Sequence, residues 1–302
     1  MKLSVVVPCY NEAVNVSEFE SELSKALLKE KITYEIIFID DGSTDDTYSK
    51  LSLLNKANKN VKVIRFSRNF GKESAMLAGL KNASGSYVAI MDADLQHTPE
   101  MLVLMYKKLI NDDNFDCCCA YKSNREDEGS LKRTLTSLFY KINNKISDVK
   151  LLPGASDFRV FKKSVCDAIT SLDEKTRFLK GMFSWVGFNT IYVPYMPEKR
   201  MYGTSKWSLF KLLKYSLGGI ISFSTKPIKS VFIIGVLALI VGLLNFILMG
   251  NLANRTIILF ISFIMLQLGI ISLYVSRIYS NILNRPCYII KEKLGFNDKH
   301  SK

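Results

Sequence analysis

Histidine is nearly missing from this 302-residue chain, with only His97 and His300 present. A histidine-built zinc site or a Ser-His-Asp triad therefore has almost nothing to draw on. No G-x-G-x-x-G occurs, and no G-x-x-x-x-G-K, so the dinucleotide fingerprint and the P-loop are both absent. The six cysteines (Cys9, Cys117, Cys118, Cys119, Cys166 and Cys287) lack the paired spacing of a metal ribbon or a disulfide framework. They read as reduced thiols of a cytosolic domain, with Cys117 to Cys119 filling a buried strand. The apolar run after Met1 is too short for a signal peptide. Acid is missing altogether between Glu198 and Glu292, where eleven lysines and arginines stand around the most apolar part of the chain. The net charge of +13 belongs to that third, because the remaining 30 basic and 28 acidic residues nearly cancel. That distribution suits a membrane surface better than a nucleic acid, and no nucleic-acid partner is expected.

The N-terminal part alternates β-branched runs with helical stretches. Leu3–Pro8, Tyr34–Asp40, Val61–Phe66, Ser86–Asp92 and Asp116–Tyr121 read as strands. Val16–Glu30, Asp45–Asn58, Lys72–Asn82 and Pro99–Asn111 read as helices between them, the last capped by Thr98 with Pro99 at its first position. A further helix is expected near Leu131–Ile146. Strands separated by single helices imply βαβ units and a mainly parallel sheet, giving an α/β domain of about 200 residues.

Two uncharged runs follow, Val231–Met249 and Thr256–Val275, each near the ~20 residues that span a hydrocarbon core. Joined by a short connection at 250–255, they read as a transmembrane helical hairpin. Lys226 and Lys229 precede it and Arg277, Arg285, Lys291 and Lys293 follow it, against Arg255 alone in the loop. The positive-inside rule then puts both chain ends and the α/β domain in the cytoplasm. The expected organisation is a domain over 1–205, an amphipathic juxtamembrane helix over 206–227, the hairpin over 228–277 and a basic cytosolic tail over 278–302.

Chemistry concentrates at strand ends. Asp92-Ala93-Asp94-Leu95-Gln96 follows an apolar strand, where open α/β sheets bind ligands. Two carboxylates at i and i+2 can face one divalent cation, and oxygen ligands suit Mg²⁺ or Mn²⁺ rather than zinc. Asp40-Asp41-Gly42-Ser43-Thr44-Asp45 ends another strand. There Gly42 permits a tight turn, and Ser43 or Asp45 can cap the next helix. Pro8-Cys9-Tyr10-Asn11-Glu12 ends a third, offering Tyr10 for stacking and Glu12 for a ribose hydroxyl. Three acidic strand ends without a P-loop point to a nucleotide diphosphate held through a metal.

Together these segments resemble the family 2 glycosyltransferases of GT-A fold. V-V-V-P-C-Y-N-E, D-D-G-S-T-D and D-A-D-L-Q stand in that family's order, followed by Arg68-Asn69-Phe70-Gly71-Lys72, Ser156-Asp157-Phe158-Arg159, Phe178-Leu179-Lys180-Gly181 and Gly203-Thr204-Ser205-Lys206-Trp207. The closing Tyr274-x-x-Arg277-x-Tyr279 and Asn284-Arg285-Pro286 are similar to the polyprenyl-phosphate branch, which includes bactoprenol glucosyltransferases and dolichol-phosphate mannose synthases. Ser272-Leu273 departs from the Gly-Glu usual before that tyrosine, which removes an acid at an expected oligomer contact but leaves the transfer motifs intact.

The resemblance implies inverting transfer of a sugar, glucose as first choice, from a nucleotide diphosphate to undecaprenyl or another polyprenyl phosphate, with Mg²⁺ or Mn²⁺ as cofactor. It implies that Pro8, Tyr10, Glu12, Asp40 and Asp41 hold the nucleoside, and that Asp92 and Ala93 contact the donor. Asp94 and Gln96 would hold metal and diphosphate, while Arg200, Ser205 and Lys206 close over the phosphates. Asp157 matches a residue often assigned as base, but a phosphate monoester is mostly ionised near neutrality, with a second pKa of about 6. Positioning, shared with Arg159, is therefore the expected role of Asp157. Lys122 and Arg125 are candidates for the acceptor phosphate. A homo-oligomer in the bacterial cytoplasmic membrane and a flippase in the same pathway are also implied. A processive synthase is disfavoured because no Q-x-x-R-W is present. Transfer to another acceptor, or an inactive nucleotide-sugar-binding scaffold, stands as the alternative.

Overall fold

The structure is a computed structural model that describes residues 2–122, 130–175, 177–196, 218–219, 221–248 and 253–296. One mixed sheet organises the domain, in the order β7-β5-β6-β4-β1-β2-β3-β8. Its central strands are β1 (Lys2–Cys9), β2 (Thr33–Asp40), β3 (Val61–Phe66) and β4 (Tyr87–Ile90), all parallel. Helices α1 (Val16–Lys29), α2 (Thr47–Ala57) and α3 (Lys72–Asn82) connect them, and α4 (Pro99–Asn111) leads to β5 (Cys117–Lys122). α5 (Ser130–Ile146) precedes β6 (Ala155–Lys162), which lies antiparallel between β4 and β5. α6 (Lys163–Ser171), α7 (Leu179–Trp185) and β7 (Thr190–Tyr195) complete this part.

Alternation along the strands feeds two cores. Leu3, Val5, Val7, Ile36 and Phe38 pack against α1, α2 and α4 through Phe19, Leu23, Leu51, Leu102 and Met105. Val6, Ile37 and Ile39 face the other way, onto α3, α6 and α7. The expected cap forms at α4, where Thr98 Oγ1 accepts the Met101 amide and Pro99 follows. Cys117, Cys118 and Cys119 fill β5 as buried free thiols, and burial pushes Cys117 and Cys118 up to about 12. No thiolate is available there at neutral pH.

Beyond β7 come two long helices, α8 (Lys226–Leu248) and α9 (Ala253–Ile282). Among the described residues one helical stretch, Phe263–Ile282, is long and apolar enough to cross a membrane, and none of it is buried. Phe232 and Met265 are 75% and 61% exposed, so these helices present their apolar faces outward. The juxtamembrane helix expected over 206–227 lies largely outside the described residues. The region after the hairpin is not merely a basic tail: β8 (Ile290–Leu294) joins the sheet antiparallel to β3. A five-residue run broken by Lys291, Glu292 and Lys293 carries little apolar signal, because an edge strand needs only alternate residues inward.

Candidate active site

The carboxyl ends of β1, β2 and β4 open on one edge of the sheet. β6 enters beside them, with Arg159 opposite Ile90, so Ser156 and Asp157 start at that same edge. The backbone of Lys122, at the end of β5, donates to the Gly154 carbonyl there at 3.0 Å. The sheet thus brings together Pro8, Asp40, Asp41, Asp92, Asp157 and Lys122. Arg125, Arg200, Ser205 and Lys206 lie outside the described residues.

Two expected nucleoside motifs are laced to each other. The Asn11 amide donates to Ser43 Oγ at 3.0 Å, the Glu12 amide to Thr47 Oγ1 at 2.8 Å, and the Ala13 amide to Asp45 Oδ2 at 3.2 Å. The Thr44 amide donates to Asn11 Oδ1 at 2.9 Å. Ser43 therefore supports the first motif rather than capping α2, and Asp45 accepts the Thr47 amide one residue ahead of the helix's own cap position. Tyr10 and Glu12 stay half-buried at the rim.

Asp40 and Asp41 are both buried but serve different neighbours. Asp41 accepts the Phe70 amide at 2.7 Å and the Gly71 amide at 2.9 Å. Burial raises its pKa to about 6, against the lowering effect of those two amides. Its carboxylate holds the 68–72 loop, a role the motif did not reveal. Gly42, at φ +66°, lets the turn lie on that loop, since a Cβ there would sit 2.4 Å from the Arg68 carbonyl carbon. Asp40 Oδ1 accepts the Ser43 amide at 2.9 Å, while Oδ2 faces Arg65 Nε at 3.5 Å and makes no hydrogen bond.

At the centre stands Lys72, the first residue of α3. Its ammonium is 2.7 Å from Asp92 Oδ1 and 3.2 Å from Asp157 Oδ2. Lys180, on α7, lies 4.0 Å from Asp157 Oδ1 and donates to the Ala155 carbonyl at 3.0 Å. Burial alone would raise the Asp157 pKa, but Lys180, Lys72 and Arg159 outweigh it and hold the carboxyl well below its usual range. Arg159 is buried, with Nε on the Ser156 carbonyl at 3.3 Å and its guanidinium 4.4 Å above the Phe183 ring. Sequence reasoning does not single out Lys72 or Lys180, although both stand inside motifs the sequence displays. Their signal was position: a lysine opening a helix and a lysine on a short one, each beside acids at strand ends.

Asp94 Oδ1 accepts the Gln96 amide at 3.2 Å, in a turn where Leu95 takes φ +56°. A non-glycine residue in that region marks local strain of the sort found at ligand sites. Next to it His97 is buried between Phe158 and Tyr195, with Nε2 3.0 Å from the Tyr195 hydroxyl. Burial lowers its pKa, against the raising effect of Asp92 and Asp94. Among the described residues no group of three or more His, Cys, Asp or Glu forms a cage for a metal. Asp94 and Gln96, both part-exposed, nonetheless offer oxygen donors of the kind a hard divalent cation would take, with the rest of its shell left to other oxygen ligands.

Residues 4–170, more than half of the chain, match the family described as Glycosyl transferase family 2. The chain belongs to that family. This glycosyltransferase is 37% identical over 303 residues to the protein CsbB of Bacillus subtilis strain 168, covering 96% of the chain and 91% of CsbB. It is 36% identical over 305 residues to the SfII prophage-derived bactoprenol glucosyl transferase of Shigella flexneri, covering 97% of the chain and 98% of that protein. A solved structure, glucosyl-3-phosphoglycerate synthase from Mycobacterium tuberculosis in complex with Mn²⁺, UDP-glucose and phosphoglyceric acid, superposes with a TM-score of 0.50 at 18% identity. It covers 73% of this glycosyltransferase and 77% of that chain, and the shared feature is the GT-A fold.

Proposed function

We propose that this glycosyltransferase moves glucose from a nucleotide diphosphate to a polyprenyl phosphate at the cytoplasmic face of a membrane, with inversion at the anomeric carbon. The observation that carries this reading is the reach of the likeness: 36% identity to a bactoprenol glucosyl transferase extends over 97% of the chain, apolar helices included. A domain that merely shared the transfer fold would match over 4–170 and stop there.

Topology supports the membrane part. β7 and β8 lie in one sheet, yet α8 and α9 stand between them in the chain. The chain therefore leaves and returns on one side, and a crossing by α9 needs a second crossing. α8, with 23 residues and about 1.5 Å of rise each, is long enough to supply it. α5 adds a second apolar surface at that root. Leu138 and Ile142 are exposed on one face beside Lys141 and Lys145, and the α5 end is tied to the hairpin base by Ser147 Oγ on the Phe223 carbonyl at 3.1 Å.

In the transfer, an acceptor phosphate oxygen forms the new bond to the anomeric carbon as the bond to the diphosphate breaks, and the leaving nucleotide keeps the electron pair. Basic side chains at the site reduce the cost of charge developing on that leaving group. A divalent cation held by Asp94 and Gln96 would add Lewis-acid stabilisation there, and Mg²⁺ and Mn²⁺ both suit oxygen donors. Asp157 sits among Lys72, Lys180 and Arg159, which makes it a weak base and favours orientation of the acceptor or the sugar hydroxyls. Asp157→Asn should therefore lower kcat by about tenfold to a hundredfold without introducing a new acidic limb in the pH profile. A loss rescued only at high pH would assign proton abstraction to Asp157 instead.

The decisive test incubates full-length protein in detergent with undecaprenyl phosphate and labelled nucleotide sugars, with Mg²⁺, with Mn²⁺ and with EDTA. Label entering the organic phase from UDP-glucose, lost with EDTA, is the expected result. Nucleotide binding without any lipid-linked product would overturn the acceptor.

A further inference from the structure

We infer that the segment following the apolar helices, residues 287–294, is a positioning element of the donor site. It acts through two contacts that converge on the edge of β3. The inference rests on the reading above, in which the ends of β1, β2 and β4 and the 68–72 loop receive the donor nucleotide.

The first contact is aromatic. Tyr288 stacks on Phe66 with ring centroids 5.0 Å apart and planes 9° from parallel. Phe66 in turn meets Phe70 edge-on at 5.8 Å and 89°. Phe66 is the last residue of β3, and Phe70 is the residue whose amide Asp41 holds, two positions before Lys72. The Ser67 amide, between them, donates to the Ile289 carbonyl at 3.0 Å. One face of the loop that delivers Lys72 to Asp92 and Asp157 is thus built by residues that arrive after the hairpin.

The second contact is polar. Arg65 pairs with Glu292 in the β3–β8 register, at a place where that register shifts. Burial and the Glu292 carboxylate together raise the pKa of the Tyr48 hydroxyl, and the Arg65 guanidinium lies 4.1 Å above the Tyr48 ring. From there Arg65 Nε reaches to 3.5 Å from Asp40 Oδ2, the buried oxygen that makes no hydrogen bond. The Tyr48 ring and the ladder pairing with Glu292 thus flank Arg65, which places a positive charge beside the Asp40 carboxylate.

Both contacts end on groups at the donor edge, and neither touches Lys122 or the start of β6. Loosening this segment should therefore weaken the donor and spare the acceptor. Withdrawing a stacked aromatic pair is worth roughly threefold to tenfold in affinity when the pair holds a binding loop. A role in stability alone would lower the melting temperature and leave donor binding by the folded fraction unchanged.

The test uses full-length protein in detergent, with UDP and GDP binding followed by calorimetry and with KM measured for donor and acceptor separately. Tyr288→Ala should weaken nucleoside-diphosphate binding and raise donor KM roughly threefold to tenfold, with acceptor KM unmoved, and Tyr288→Phe should restore both. Should Tyr288→Ala not fold, Glu292→Gln in the same assays should raise donor KM by about twofold to threefold. Lys291→Ala, exposed on the same strand, should change nothing. Folded Tyr288→Ala or Glu292→Gln protein that binds as tightly as wild type overturns the inference alone. Wild-type protein that binds neither UDP nor GDP overturns the donor-pocket reading, and the inference with it.

Discussion

Two clusters of carboxylate and lysine sit at opposite ends of the same strands, and they are built to opposite specifications. At the amino ends, Glu35 is 1% exposed and receives Lys2 at 2.9 Å, Lys62 at 2.7 Å, the Ser84 amide at 2.8 Å and the hydroxyls of Ser4 and Ser84. Burial would raise its pKa, but those donors overcome it and bring it down to about 2. At the carboxyl ends, Asp92 and Asp157 share Lys72 while remaining 33% and 21% exposed. The buried cluster has its acceptors saturated and ties β1, β2, β3 and the turn before β4 together. The open one keeps its charges part-exposed at the carboxyl edge of the sheet, within reach of solvent. Ion pairs of the same chemistry thus differ in how completely they are closed, and on the proposed function the open set is the one available to a ligand.

Substitutions should separate the two. Glu35→Ala strands two lysines and three other donors, so thermal unfolding should show a loss of about 3–5 kcal/mol while the folded fraction keeps its kcat. The sign with pH follows from the lowered pKa. The stabilisation is complete above the unfolded value of 4.5 and is lost as pH falls toward about 2, roughly 3 kcal/mol in all. Lys72→Met should do the reverse, leaving stability within about 1 kcal/mol and cutting kcat roughly tenfold to a hundredfold. A melting temperature that collapses with Lys72→Met would make the open cluster as structural as the buried one. The smallest effect is expected at Gly42→Ala, where positive φ and the Arg68 backbone oppose a Cβ. About 1–2 kcal/mol of stability should be lost, with a rise in donor KM as the 68–72 loop shifts.

Much of this was legible in advance. β3, α3 and α4 fall on the residues expected of them, because apolar periodicity and the Thr98-Pro99 start are local signals. Asp92 and Asp157 stand in motifs the sequence displays, but their pairing with Lys72 leaves no local mark, since Lys72 opens a helix 20 positions from one and 85 from the other. Asp41 shows a second limit. A strand-end acid suggests a ligand, whereas its two oxygens accept backbone amides 29 and 30 positions onward. β8 was invisible for a third reason: pairing across more than 200 residues leaves no mark on spacing, and its lysines read as solvated charge.

The late arrival of β8 has a consequence for biosynthesis. Phe66 leaves the ribosome 224 residues before Ile290, its partner in the ladder. At about 5–20 residues per second, the outer edge of β3 waits on the order of ten to forty seconds for its last neighbour. Through that interval the nascent domain carries an unpaired strand open to the wrong chain. Residues 290–294 close that edge only after both apolar helices have been synthesised.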